Sequence, residues 1–270
     1  LEKYRILLAE QIQYFKVTQY FFFKQWTELK NYANQKGIQI IGDMPIYVAA
    51  DSVEVWTKPE LFQLDKERNP LFVAGVPADQ FSATGQLWGN PLYAWEEHKK
   101  QGYAWWIHRI EESFKIYDVL RIDHFKGFSD YWQVDGKAEV AKDGSWQPGP
   151  GYDLFKAVKE QLGDLPIIAE DLGNIDDKAR KLLTDCNYPG MKILQFGFED
   201  VSGESLDRPH YCIPHSIVYT GTHDNDVTNG WYNSLTEQQQ QYINDYTHRR
   251  ENESICQAMI RQLFATVSNT

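Results

Sequence analysis

Five short, largely apolar runs along the chain each stop at or just before a carboxylate. Ile38-Gln39-Ile40-Ile41 ends at Gly42-Asp43, and Val119-Leu120-Arg121-Ile122 at Asp123-His124. Pro166-Ile167-Ile168-Ala169 ends at Glu170-Asp171, and Ile193-Leu194-Gln195-Phe196 leads to Glu199-Asp200. Ile217-Val218-Tyr219-Thr220 ends at Thr222-His223-Asp224. Runs of this length and composition suit strands buried on both faces, the habit of parallel sheets. Amphipathic stretches such as Trp105 to Lys115 and Tyr152 to Leu162 fall between them, so the order is β-α-β-α.

That order leaves two architectures, a β/α barrel and a doubly wound sheet, and both place ligands at the C-terminal strand edge. Neither GxGxxG nor a P-loop is present to hold a nucleotide. The predicted fold class is therefore α/β, a (β/α)8 TIM barrel occupying residues 1–270, with an active-site loop insertion at about 50–100. A complete barrel requires eight strands and roughly 250 residues. The strand signals are fewer, so the first strands and the last are expected to lie outside this chain. The chain also begins at Leu1 rather than Met, and its natural N-terminus is expected upstream. Ahead of the first strand, Leu8, Ile12, Phe15, Phe22, Trp26 and Leu29 recur at helical spacing, and Gly37 suits a C-terminal cap.

Charge narrows the partners. Lys+Arg number 27 against 38 Asp+Glu, a formal charge of −11, which repels nucleic acid and anionic lipid. No apolar stretch approaches the roughly 20 residues of a membrane span. A neutral substrate meets no such penalty, and an aromatic content of 14% offers ring faces on which sugars can lie. Cys186, Cys212 and Cys256 form no CxxC, and the seven His residues show no zinc spacing. Neither metal nor cofactor is predicted. Scattered cysteines suit a reducing compartment, the cytoplasm or a plastid.

Carboxylates at strand ends can cleave glycosidic bonds. Cleavage with retention uses an ionised carboxylate as nucleophile and a protonated one as acid/base, about 5 Å apart. Arg121 and Asp123 lie two apart on one strand and share a face, so the guanidinium is expected to keep Asp123 ionised. Glu170 follows an apolar run, where partial desolvation would raise its pKa toward that of an acid. Only one of Glu170 and Asp171 can face the barrel axis, and alternation does not choose between them. Asp224 adds a further negative charge suited to an oxocarbenium-like transition state.

Arg121-Ile122-Asp123-His124-Phe125, Ala169-Glu170-Asp171-Leu172-Gly173 and Gly221-Thr222-His223-Asp224-Asn225-Asp226 resemble the catalytic signatures of the amylomaltase (disproportionating enzyme) family, glycoside hydrolase family 77. Two further blocks set this family apart from general α-amylases. One is Gly42-Asp43-Met44-Pro45-Ile46-Tyr47-Val48-Ala49; the other runs from Gly75 through Asp79, Phe81 and Trp88 to Tyr93. The resemblance implies Asp123 as nucleophile, Glu170 as acid/base and Asp224 as transition-state stabiliser, flanked by Arg121 and His223. It places Asp43, Tyr47, Asp79, Phe81, Trp88, Asn90, Phe196 and Asp200 where the family contacts its glucan.

The activity it implies is 4-α-glucanotransfer, moving α-1,4-glucan segments to glucose or maltodextrin through a covalent glycosyl-enzyme, without cofactor. An α-amylase-like hydrolase and an inactive glucan-binding fragment are the alternatives. Ala78 and Gln80 stand where a proline and an aromatic are common, and Ser205 to His210 departs from the usual loop. The segment Val73 to Tyr93 is expected to overhang the site, with at least one of Phe81, Trp88 and Tyr93 buried instead.

Overall fold

The computed structural model describes residues 1–78, 82–173, 175–199 and 201–270. The N-terminal pattern forms helices α1 (Glu2–Leu7) and α2 (Ala9–Gln35). Gly37, at φ +74°, closes α2: its N–H reaches Asn34 O at 2.9 Å and the Ile38 N–H reaches Ala33 O at 3.0 Å, a Schellman cap. No residue of α2 is buried, and Phe15, Phe22 and Leu29 are exposed. Polar anchors hold the helix instead, including Trp26 Nε1 donating to Ile116 O at 2.8 Å and Lys30 Nζ donating to Tyr117 O at 2.8 Å.

The chain continues through β1 (Ile41–Met44), α3 (Val53–Thr57), β2 (Phe72–Val76), β3 (Gln86–Pro91), α4 (Trp95–Lys100) and α5 (Ala104–Ile116). It then forms β4 (Val119–Ile122), β5 (Asp130–Asp135), β6 (Ser145–Pro148), α6 (Tyr152–Leu162) and β7 (Ile167–Ala169). The remainder is α7 (Asp177–Cys186), β8 (Gly190–Ile193), β9 (Ser216–Tyr219), α8 (Thr228–Ser234), α9 (Glu237–Thr247) and α10 (Ile255–Phe264).

β1, β4 and β7 form a parallel sheet in that order, and β8 pairs in parallel with β9. The Ala169 N–H donates to Pro189 O at 3.0 Å, linking the two pieces into a row β1-β4-β7-β8-β9. Five predicted strand signals thus find strands, but two are displaced. The first begins at Ile41 rather than Ile38, because the Asp118 carboxylate takes the Ile40 N–H at 2.8 Å before the ladder starts. Asp43 consequently lies within β1, in register with Arg121. The fourth is Gly190–Ile193, not 193–196. Asp171 fixes it there by accepting the Met191 N–H at 2.6 Å. A Cβ on Gly190 would sit 2.4 Å from that carboxylate, so only glycine lets β8 start so close. Phe196 is thereby moved off the strand onto a 3-10 turn, Phe196–Phe198.

A second, antiparallel sheet has the order β3-β2-β5-β6. The expected insertion supplies only β2 and β3; β5 and β6 come from beyond β4. The main core lies between the parallel strands and helices α5 and α6, where Trp106, Ile110, Leu120, Phe128 and Leu154 are fully buried. A second cluster packs Leu194 and Phe198 against Ile243 and Met259 of the C-terminal helices. Capping boxes, Thr236 with Gln239 and Ser254 with Gln257, start α9 and α10. Among the described residues, no helix is long and apolar enough to cross a membrane.

Candidate active site

The C-terminal ends of β1, β4, β7 and β9 bring their acids to one place. Arg121, 8% exposed at its side chain, is the hub: Nη1 donates to Asp43 Oδ1 at 2.6 Å and to Asp123 Oδ1 at 3.0 Å. Its Nη2 lies 3.6 Å from Asp224 Oδ2. His223 Nε2 stands 3.4 Å from both Asp43 Oδ2 and Asp224 Oδ1, closing a ring of polar contacts. Residues from three strand ends therefore share one guanidinium. Hydrogen bonds and the charges of Asp43 and Asp123 raise its pKa, although burial acts the other way.

Glu170 and Asp123 line one cleft of about 380 Å³, together with Arg121, Trp88, Phe196 and Asp224. Its Oε2 accepts the His124 N–H at 2.7 Å and its Oε1 accepts the Leu172 N–H at 3.1 Å. Held at both oxygens, the carboxyl has a fixed orientation. Alternation left Glu170 and Asp171 equivalent. The structure puts Glu170 in the cleft and turns Asp171 to the start of β8.

Burial, followed by the charge of Asp123, pushes Glu170 up to about 7; Arg121 and the two backbone donors pull the other way. Burial also pushes the Asp123 carboxyl above its ordinary value, against the charge and hydrogen bond of Arg121 and with Asp43 and Asp224 adding to the rise. Arg121 thus acts on Asp123 in the expected direction, by charge and by hydrogen bond, but burial is the larger effect. The charge of Asp123 is one of the causes of Glu170's rise, so the two carboxyls are coupled.

The other expected contacts divide into groups. Trp88, 37% exposed, and Phe196 line the cleft. Tyr47 does not: it is 7% exposed in the core, its ring 6.0 Å from Tyr93 and 6.2 Å from Trp88. Asn90 is likewise turned away, donating to Val48 O at 3.0 Å. Tyr93 is a buried ring of its segment, donating through its hydroxyl to Ile46 O at 2.7 Å. Asp79, Phe81 and Asp200 lie outside the described residues. Ala78 borders the cleft. The departing loop supports the Phe196 turn, with Arg208 Nε donating to Gly197 O at 2.7 Å and Ser205 Oγ to Phe196 O at 3.3 Å.

Sequence reasoning missed His124, Lys126 and Trp146. His124 has a left-handed backbone, φ +45°, which aims its N–H at Glu170. Its imidazole meets Trp88 edge-on at 4.9 Å, and burial, with help from Lys126, pushes its pKa down to about 4. A non-glycine residue held at positive φ beside a carboxyl of the cleft is a strain that the surrounding contacts must sustain. Nothing in the residue pattern announced it.

Comparison with known proteins agrees with this geometry. A family model described as 4-alpha-glucanotransferase matches residues 1–270. The chain is 52% identical over 269 residues to a 4-alpha-glucanotransferase of Streptococcus pneumoniae, covering 99% of the chain and 53% of that protein. It is 46% identical over 274 residues to one of Clostridium butyricum, covering 100% of the chain and 56% of that protein. Among solved structures, the amylomaltase from Streptococcus agalactiae in complex with acarbose is similar at 60% identity and a TM-score of 0.97. That match covers 100% of the chain and 54% of the structure's chain. The chain spans about half the length of the curated relatives it matches. Sequence, fold and strand-end acids agree: the chain belongs to the 4-alpha-glucanotransferase family, glycoside hydrolase family 77.

Proposed function

We propose that this chain carries the reacting groups of a retaining 4-α-glucanotransferase acting on α-1,4-glucans. The carrying observation is one pair in one cleft: Glu170, pushed up to about 7, and Asp123, which Arg121 touches at 3.0 Å. Asp123 attacks the anomeric carbon while Glu170 delivers its proton to the departing glycosidic oxygen, leaving a glycosyl ester on Asp123. Glu170, now a carboxylate, takes the proton from the acceptor's hydroxyl, whose oxygen displaces Asp123 and restores both groups. Asp224 stabilises the positive charge that develops on the sugar ring. Asp43, joined to it through Arg121, and His223, which stands 3.4 Å from both carboxylates, are placed to bind the hydroxyls of that sugar. Trp88 and Phe196 would stack on the glucan. Tyr47 and Asn90 act behind them, the first supporting Trp88 and the second tying β3 to the loop after β1. Asp79, Phe81 and Asp200 keep their implied glucan contacts as part of this reading.

The row β1-β4-β7-β8-β9 is read as part of a (β/α)8 barrel, with residues 1–270 forming its catalytic portion. Backbone bonds support this at the β9 edge: Asn269 N–H reaches Pro214 O at 3.0 Å and Val218 N–H reaches Thr270 O at 2.9 Å, so the chain is already adding to that edge. The three cysteines are free, in keeping with a reducing compartment such as the cytoplasm or a plastid.

Transfer and hydrolysis share the covalent ester and part at its resolution, where an acceptor sugar must outcompete water. The β3-β2-β5-β6 sheet contributes Trp88 to the cleft and favours the sugar. The test is to incubate maltotriose with the product of the complete reading frame. Glucose together with a ladder of longer maltodextrins is expected. Only shorter products would make it a hydrolase, and no products at all, with glucan still bound, would leave it a binding protein.

A further inference from the structure

One aromatic wall of the cleft is not among the glucan contacts assigned above. Trp146 lies on the edge strand β6, opposite Trp132 in the ladder, their rings 5.2 Å apart and edge-on. It remains 43% exposed and borders the cleft alongside Glu170, Leu172 and Gly173. Lys126 holds it there. This lysine is only 9% exposed, its ammonium stands 4.6 Å from the Trp146 ring centroid, and it forms a close ion pair with Asp176. Asp176 is in turn the N-cap of α7, accepting the Ala179 N–H at 2.9 Å. A buried cation therefore joins three parts of the site: the turn after Asp123, the ring on β6, and the segment after Glu170.

The side of the cleft follows from which residues border which cavity. A second cavity, about 540 Å³, adjoins the first and shares Phe196, Asp224 and Asn225 with it. His223, Glu199 and Asp226 border only the second; Glu170, Lys126 and Trp146 border only the first. Trp146 thus sits on the Glu170 side of Asp224. The acid/base group serves the oxygen that leaves and later the oxygen that arrives, and both belong to the sugar on its own side.

We infer that Trp146 is a sugar-stacking platform for the leaving and accepting glucan, with Lys126 as the positioning residue that holds its ring. The inference rests on the transferase reading. An apolar ring face meeting the C–H face of a glucose unit buries area without demanding a particular hydroxyl pattern, which suits a site that must take glucose and longer chains alike.

The test uses the product of the complete reading frame with α-maltosyl fluoride as donor, whose fluoride leaving group needs no sugar on the acceptor side, and maltose as acceptor. Trp146→Ala is expected to raise the acceptor KM about tenfold, equal to about 1.4 kcal/mol, and to affect fluoride release without acceptor far less. Trp146→Phe should recover most of the loss, and Lys126→Met should give a smaller rise in the same KM. Should Trp146→Ala fail to fold, Lys126→Met still reports on that KM. An unchanged acceptor KM in Trp146→Ala, or in Lys126→Met where the alanine variant does not fold, overturns the platform alone in an enzyme that does elongate maltose. Equal losses in both rates, not recovered by Phe, make the ring structural and overturn it as well. A wild type that releases fluoride without ever elongating maltose removes the transferase reading, and the platform with it.

Discussion

Glutamate 170 should make the protein less stable as the pH rises, and removing its charge should reveal by how much. Its carboxyl, ordinarily near 4.5, is pushed to about 7 in the folded chain. Below pH 4.5 the group is protonated in both states and contributes no penalty. Between 4.5 and about 7 the unfolded chain releases the proton while the folded one retains it, so stability falls with rising pH. Above 7 the loss is complete, roughly 3 kcal/mol at 1.36 kcal/mol per pKa unit. Glu170→Gln abolishes this titration. It also costs something at every pH, because an amide can accept only one of the two backbone N–H groups that His124 and Leu172 now offer. That loss is about 1–3 kcal/mol and does not vary with pH. The diagnostic quantity is therefore the change in the variant's effect rather than the effect itself. Urea unfolding of wild type and Glu170→Gln at pH 5, 6, 7 and 8 should show the variant gaining on wild type by up to about 3 kcal/mol across the series. Adding Asp123→Asn should shrink that gain, because the Asp123 charge is part of what raises Glu170. Parallel stability profiles for wild type and Glu170→Gln would refute the argument that burial and Asp123 hold the proton on.

The same proton should appear in turnover: kcat/KM is expected to fall above about pH 7, and a basic limb beyond pH 9 would deny Glu170 the acid role. Asp123→Asn should reduce transfer by about a thousandfold or more, with circular dichroism unchanged; substantial turnover by that variant would remove Asp123 as nucleophile. At His124, glycine should be tolerated better than alanine by about 1 kcal/mol in unfolding experiments, since only glycine accepts positive φ freely. Gly190→Ala should cost several kcal/mol and expose β8 to amide exchange, because its Cβ would meet the Asp171 carboxylate at 2.4 Å.

What the residue pattern made legible was whatever a buried parallel strand imposes. Continuous apolar composition marked the β4 and β7 strands within a residue, and amphipathic spacing marked α6 from Tyr152 to Leu162. It failed where a neighbour, not local composition, sets the ends of an element. Ile38 to Ile40 look as strand-like as Ile41, but the Asp118 carboxylate captures the Ile40 N–H and delays the ladder. Ile193 to Phe196 are largely apolar, but the chain enters the sheet at Gly190 and leaves it after Ile193. β5 and β6 were overlooked because edge and roof strands have one wet face and a mixed composition, as in Ser145-Trp146-Gln147-Pro148.

The site shows the same division. Residue types at strand ends pointed to Asp123, Asp224 and the Glu170-Asp171 pair, because the C-terminal edge of a parallel sheet brings such distant acids together. They could not say which of Glu170 and Asp171 enters the cleft. That choice is made twenty residues later, where Gly190 lets the β8 backbone close on Asp171 and claim its carboxylate through the Met191 N–H. With Asp171 committed to the sheet, its neighbour on the opposite face is left in the cleft, gripped by the N–H groups of His124 and Leu172. Gly190 thus decides which of two adjacent carboxylates the scaffold needs for itself, and leaves the other, the proposed acid/base group, in the cleft.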